Sequence, residues 1–394
     1  MTKRNILIAG AGIGGLAAAA NLMKAGHDVT IYEQAPVLSE VGAGIQLSAN
    51  AMHVLIHLGL GPEIARVGVQ PGAYVFKLFD TAEEIQRFAL SADHERLHGA
   101  PYYQLHRADL HDMLAATARA LKPDVVQLNR RAVGFEETVA GVTLRFADGG
   151  SATGDMLIGA DGLKSVVRRQ IAGDVPATYT GDGAWRVTIP REKLPPDFLE
   201  KVMHVWMGPG GHVVSYFLRG GALLNFVGIV ETDDVSEESW TAKFPWENFK
   251  ADFKGWNNDV QTIIDRADRD ACYRWSLHNR PPIRDWSTPR VTILGDAAHP
   301  TLPYLAQGAV MAIEDGAVLT RALAQCATIP EALALYQRNR VDRTARIVEQ
   351  STFNRTLFHL PTVEAIRKAF ATRNEGADRN TWLYSYNPLT VPLT

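Results

Sequence analysis

The sequence has 394 residues, of which 21% are charged, and a formal net charge of −3. That length exceeds what one hydrophobic core usually organises, so two or three packed units are expected. The near balance of charge supplies neither a basic field for nucleic acid nor a polybasic patch for a membrane surface.

Cys272 and Cys326 are the only cysteines. Without a CxxC or a Cys/His cluster they give no metal-ligand spacing, so no metal is expected and a reducing compartment fits. The apolar run in MTKRNILIAGAG passes into glycines too soon for a signal peptide. No stretch approaches the roughly 20 apolar residues that span a bilayer. A soluble, cytoplasmic protein is expected, monomeric or homodimeric.

In chain order, NILIAG at 5–10 is a short apolar run that breaks at glycine, and the Ala-rich GGLAAAANLMKAG reads as a helix that Gly26 can end. DVTIYEQ then reads as a buried strand. Gly10, Gly12 and Gly15 form G-x-G-x-x-G between strand and helix, with Gly14 inside the motif. The first glycine permits a tight turn, the second lets backbone approach a pyrophosphate, and the third lets helix and strand pack closely. Helix-start N–H groups then face the phosphates. Glu33 closes the second strand, with Gln34 beside it, where a carboxylate can accept both hydroxyls of an adenosine ribose. An acid there rejects a 2′-phosphate, so the nucleotide is FAD or NAD.

Residues 104–122 read as a helix, and VTLRFADGGSATGDMLIGADG as a hairpin running into a strand that stops at Asp161-Gly162. Between about 179 and 275, alternating segments such as HVVSYFLRGG and LLNFVGIVE suit an antiparallel sheet with one covered face. RVTILGD returns to α/β style, 309–348 is helical apart from a break at Pro330, and the tail NTWLYSYNPLTVPLT should pack on the surface as extended chain. The first domain is therefore expected to be discontinuous: 1–75, 98–178 and 276–325 bind the nucleotide, 76–97 and 179–275 form a substrate domain, and 326–394 supply a C-terminal helical segment and tail.

Three signatures, the N-terminal fingerprint, GADGLKSVVRR and GDAAHPTLPYLAQG, occur in an order that resembles the group A flavoprotein aromatic hydroxylases, the family of p-hydroxybenzoate and salicylate hydroxylases. The resemblance implies an α/β fold of the p-hydroxybenzoate hydroxylase type, with a Rossmann-like FAD domain and an antiparallel-sheet substrate domain. It also implies FAD as the nucleotide, with NADH or NADPH as a transient donor, since no second glycine fingerprint follows. By the same resemblance, Asp296 would accept a ribityl hydroxyl, and the helix starting at Gly308 would face the flavin pyrimidine edge. Arg107 would approach the pyrophosphate or ribityl region, and Asp161 and Gly162 would serve flavin and donor. Pro303 would line the ring, and His299 would act structurally.

A phenol becomes a better nucleophile once deprotonated, so the site needs a base whose pKa is close to neutral. His212 matches the base-position histidine of the salicylate, 3-hydroxybenzoate and 6-hydroxynicotinate hydroxylases. Tyr216, four residues on, would share its face on a strand and donate to a substrate oxygen. Tyr304, and Leu47 beside Gln46, stand where the 6-hydroxynicotinate enzymes have histidines, which makes an apolar or amide-lined wall here. Arg186 and Arg219 are equal candidates to hold a substrate carboxylate. The expected reaction is hydroxylation of a phenolic aromatic carboxylate by molecular oxygen through a flavin C4a-hydroperoxide. The alternatives are a hydroxypyridine carboxylate, a non-phenolic heterocycle or quinone, and a flavin-binding redox sensor without turnover.

Overall fold

The computed structural model describes residues 2–38, 43–174, 176–234, 242–371 and 380–394. Asn5–Ala9 is buried along four of its five residues and sits at the centre of a five-stranded sheet. Its order is Val291–Ile293, Met156–Gly159, Asn5–Ala9, Asp28–Tyr32 and Val126–Gln127, with every pairing parallel. Parallel strands must be covered on both faces, which is why these segments read as unbroken apolar runs. Helices Ile13–Lys24, Arg107–Leu121 and Gly308–Gln325 pack together beside the sheet. An antiparallel three-stranded sheet, Ala132–Glu137, Val142–Phe146 and Ser151–Gly154, meets it through Phe146 against Tyr32.

The second sheet has seven strands, in the order Tyr273–Asn279, Thr178–Pro190, Leu223–Glu231, Gly211–Leu218, Met203–Gly208, Ala73–Leu78 and Glu84–Ala89. Neighbours are antiparallel except Met203–Gly208 with Ala73–Leu78. Trp185, Phe226, Phe249, Phe253 and Trp256 form the core on one face, beneath helices Trp246–Asp252 and Asn258–Arg266. The other face carries Ala184, Val205, Met207 and Ile229 against Tyr304, Phe358 and Phe370 from the C-terminal third. A two-stranded ribbon, Gly44–Leu47 with Tyr103–His106, lies over that second face.

Several boundaries differ from the sequence reading. The expected domain divisions at 75/76 and 275/276 fall inside strands of the seven-stranded sheet, Ala73–Leu78 and Tyr273–Asn279. Tyr103–His106 is a strand, and the helix begins only at Arg107. Pro330 does not break a helix: it occupies the first turn of Ile329–Phe358, where its missing N–H costs nothing, and the Thr328/Glu331 capping box starts that helix. The tail is not wholly extended, because Thr381–Tyr384 is a short helix with Leu383 buried. The final residues are tied down by Arg321, which donates to the Pro388 and Val391 carbonyls. Among the described residues, no helix is long and apolar enough to cross a membrane.

Candidate active site

The glycine fingerprint forms a cradle whose positions differ in what they do. Gly10 has φ +103° and donates its N–H to the Tyr32 carbonyl at 2.9 Å. A Cβ at Gly10 would stand 2.3 Å from the Ala160 carbonyl oxygen, and one at Gly15 2.1 Å from the Gly10 carbonyl oxygen. Among the described residues nothing lies within 4 Å of the Cβ position of Gly12, which opens a helix with no capping side chain. Uncapped N–H groups beside open space are what a pyrophosphate needs. Gly14 does a different job: its Cβ would meet Leu294 at 2.9 Å and Ala312 at 3.0 Å, so it lets two helices touch.

Glu33 is pinned at the strand end by the N–H groups of Ala11 and Ala35, each at 2.8 Å, and Gln34 lies in the following turn. His111, which sequence reading passed over, donates Nε2–H to the Ala11 carbonyl at 2.8 Å and fixes the same loop. Arg107 is the first residue of its helix, and its N–H donates to Ala43 at 2.8 Å. Asp161 accepts from the Ser165 hydroxyl at 2.5 Å and the Val166 N–H at 2.8 Å, so it holds the start of helix Val166–Ala172. Burial raises its pKa against those hydrogen bonds. Gly162 follows with φ +72°.

The GDAAHPTLPYLAQG stretch leaves the parallel sheet after Val291–Ile293. Gly295 turns with φ +60° and presents Asp296 to solvent. Beneath it the buried Asp315 carboxylate accepts from the Gly295 N–H at 3.0 Å, His299 Nε2 at 2.6 Å and Arg340 Nε at 2.7 Å. Burial pushes this carboxyl up, but the charges of His299 and Arg340 outweigh it and bring its pKa down to about 2. His299 is thus an anchor of the loop. Ala306, at φ +54°, turns the chain into the uncapped N-terminus of Gly308–Gln325. Gln307 is locked by Ser48 and Asn50, both at 3.1 Å. Glu33, Gly12, Asp296 and two bare helix starts fit an extended FAD.

Facing residues of the seven-stranded sheet put three of the predicted residues, His212, Tyr216 and Arg186, on one surface. Tyr216 opposes Asn225; Val214 opposes Val227, which opposes Arg186; His212 opposes Ile229, which opposes Ala184. His212 is 1% exposed, its Nδ1 lies 2.9 Å from His359 Nε2, and its ring lies 5.2 Å from that of Tyr304. The expected near-neutral pKa is corrected: burial, and then the neighbouring His359, hold it well below the ordinary histidine value. Tyr216 is buried with its hydroxyl on Gln46, and burial outweighs that hydrogen bond to push its phenol up. Gly44 makes room for it, since a Cβ there would lie 2.4 Å from the hydroxyl oxygen. Tyr102 donates to the same Gln46 at 2.5 Å. Asn225 Oδ1 accepts the Gly44 N–H at 2.8 Å, while its buried Nδ2 has no partner among the described residues.

Three expectations change. Leu47 is fully buried in the first domain's core, and strand alternation turns Gln46 toward the sheet instead. Arg219 is committed to Asp109 through two hydrogen bonds, at 2.7 and 3.0 Å, at the surface. Arg186 is buried over the rings of Trp275, at 5.2 Å, and Tyr273, at 6.0 Å. The two arginines are therefore not equivalent. Tyr304 donates to Asp182 at 2.8 Å, and Pro303 starts the turn that carries it.

A parallel-sheet nucleotide cradle whose third loop faces an antiparallel sheet bearing histidine, tyrosine and arginine defines an FAD-dependent aromatic hydroxylase of the group A type. The chain belongs to the FAD binding domain family FAD_binding_3, matched over residues 3–351. It is 36% identical to the 3-amino-4-hydroxybenzoate 2-monooxygenase PtnB3 of Streptomyces platensis, over 99% of this chain and 98% of that one. It is 37% identical to a 3-hydroxybenzoate 6-hydroxylase of Polaromonas naphthalenivorans, over 97% and 96%. It is 34% identical to a 6-hydroxynicotinate 3-monooxygenase of Bordetella bronchiseptica, over 99% and 97%. Among solved structures it resembles Klebsiella pneumoniae HpxO complexed with FAD and uric acid, with TM-score 0.86 and 27% identity over 98% and 96% of the chains. It also resembles a salicylate hydroxylase substrate complex, with TM-score 0.81 and 25% identity over 98% and 96%.

Proposed function

We propose that this enzyme hydroxylates an aromatic ring carrying both a hydroxyl and a carboxylate, using NADH or NADPH and molecular oxygen. The observation that carries the reading is the single sheet face that presents His212, Tyr216, Arg186 and the unpartnered Asn225 Nδ2. The named relatives support it, because all three names describe a hydroxylated aromatic acid.

Bound FAD supplies the electron transfer and the oxygen activation. The chain's own residues do the rest. Arg186 and Asn225 Nδ2 receive the carboxylate as charge-assisted and neutral donors. His212 takes the proton of the ring hydroxyl, and Tyr216 donates to the oxygen that results. The neutral imidazole favoured by burial is the form that can accept a proton. A hydroxypyridine acid is the second reading, on the 6-hydroxynicotinate relative, although Tyr304 and Gln46 keep it second.

The test is a panel of hydroxybenzoates, aminohydroxybenzoates and hydroxypyridine acids, scored for accelerated NAD(P)H oxidation together with a product heavier by one oxygen atom. A yellow, folded protein that oxidises the donor no faster with any of them would overturn the reading.

A further inference from the structure

His212 does not end in the site. Behind it, at the C-terminus of the helix Ile329–Phe358, His359 Nε2 lies 2.9 Å from His212 Nδ1. The other ring nitrogen of His359 faces carboxylates: Glu231 Oε1 at 3.3 Å and Asp182 Oδ1 at 3.9 Å. Asp182 is fully buried and already paired, with Arg355 Nε at 2.6 Å and the Tyr304 hydroxyl at 2.8 Å. Arg355 also reaches Glu231 at 3.4 Å. The His359 side chain is 1% exposed and that of Glu231 47% exposed, so the series His212, His359, Glu231 runs from the buried site to solvent.

We propose that these three side chains form a proton wire that carries the substrate's hydroxyl proton out of the site. The inference rests on the base role of His212 given above.

The tautomers follow from the partners. A ring nitrogen facing only carboxylate oxygens carries hydrogen, so His359 is protonated at Nδ1 and its Nε2 accepts. His212 then holds its own hydrogen on Nδ1, toward His359, which leaves Nε2 with the lone pair that a base needs. In the transfer, the substrate O–H breaks and His212 Nε2–H forms. The His212 Nδ1 proton moves to His359 Nε2, and the His359 Nδ1 proton moves to the Glu231 carboxylate and on to water. One proton leaves and no electrons change hands. When the hydroxylated ring regains aromaticity, its oxygen takes a proton back through the same three groups, and both tautomers are restored. Arg355 anchors the Asp182 carboxylate with Nε at 2.6 Å and Nη2 at 2.8 Å, and that carboxylate faces the same edge of the His359 ring. Burial lowers the basicity of both imidazoles, with the two carboxylates opposing this at His359. Neither ring is a resting place for a proton.

Holoenzyme is mixed in weak buffer with a nitro-substituted hydroxybenzoate at a pH below its phenol pKa. Phenolate absorbance is followed together with proton release to an indicator dye. Wild type should ionise the phenol and release the proton together. His359→Gln should bind the acid with affinity within threefold and keep its flavin spectrum, but release the proton roughly tenfold more slowly. Added imidazole should restore the rate in His359→Ala. Glu231→Gln, at an exposed position that does not endanger folding, should slow release by roughly threefold and decides the matter if the His359 variants lose FAD. Release at the wild-type rate in folded His359→Gln and Glu231→Gln would overturn the wire while leaving His212 as the base. A wild type that binds the acid without ionising it would sink the base role and the wire together.

Discussion

Gly12 and Gly15 belong to one motif but fail differently when changed. A methyl at Gly15 would stand 2.1 Å from the Gly10 carbonyl, so Gly15→Ala must move the strand–helix junction. An overpacking cost of about 1–3 kcal/mol follows, visible as a lower melting temperature even without FAD. A methyl at Gly12 meets no atom of the described residues within 4 Å. Gly12→Ala apoprotein should therefore melt like wild type yet bind FAD at least roughly tenfold more weakly, since the methyl fills the path proposed for the pyrophosphate. Flavin fluorescence titration with parallel calorimetry separates the two. At His212, replacement by glutamine removes the proposed base but keeps a polar side chain. Turnover should fall by roughly 10²–10⁴ at a pH where the substrate is a phenol, and recover toward wild type where solvent alone ionises it. Equal loss at every pH would instead mark a packing role.

At the scale of elements, two helices and a loop are joined by charges with no access to water. Arg340 and Asp315 are both 0% exposed and bonded to each other, and Arg340 also pairs with Glu314. Removing Arg340 leaves Asp315 with only His299 and the Gly295 N–H, and Glu314 with one arginine fewer, so Arg340→Met should cost about 3–5 kcal/mol in chemical denaturation and loosen the loop that presents Asp296. The folded-state pKa of Asp315, about 2, lies below the ordinary 3.8. A depressed carboxyl stabilises above its unfolded value and loses that contribution as pH falls through the folded one. Stability should therefore drop by about 2 kcal/mol from this group between about pH 4 and pH 2, with a shallower acid limb in Asp315→Asn.

Over the whole molecule, the chain passes repeatedly between the five-stranded and seven-stranded sheets, and the long helix Ile329–Phe358 packs into the cores of both. Leu333 and Tyr336 enter the core of the first, and Leu357 and Phe358 cover the face of the second. A chain ending at residue 328 would leave both cores open, so it should be insoluble or lack a cooperative transition by circular dichroism, and not persist as a free flavin domain. FAD, which binds only the assembled cradle, should raise the melting temperature of the intact apoprotein. At a hundredfold excess over Kd the gain is about 2.7 kcal/mol.

The nucleotide half was legible because its constraints are local. Gly10 and Gly15 are glycines because a carbonyl oxygen stands where a Cβ would go, and Glu33 follows at the strand end that fixes it. Strand alternation likewise puts His212 and Tyr216 on one face. What could not be read was which distant segment covers that face. Nothing near FHLP marks His359 as the neighbour of His212, 147 residues away, and no local signal separates Arg186 from Arg219 or turns Gln46 inward in place of Leu47. Sequence alone determined the nucleotide cradle and the class of chemistry, since backbone conformation and helix-end charge act over a few residues. Only the tertiary structure decided which buried groups face His212, because burial and charge pairing act between parts of the chain that meet only in the folded state.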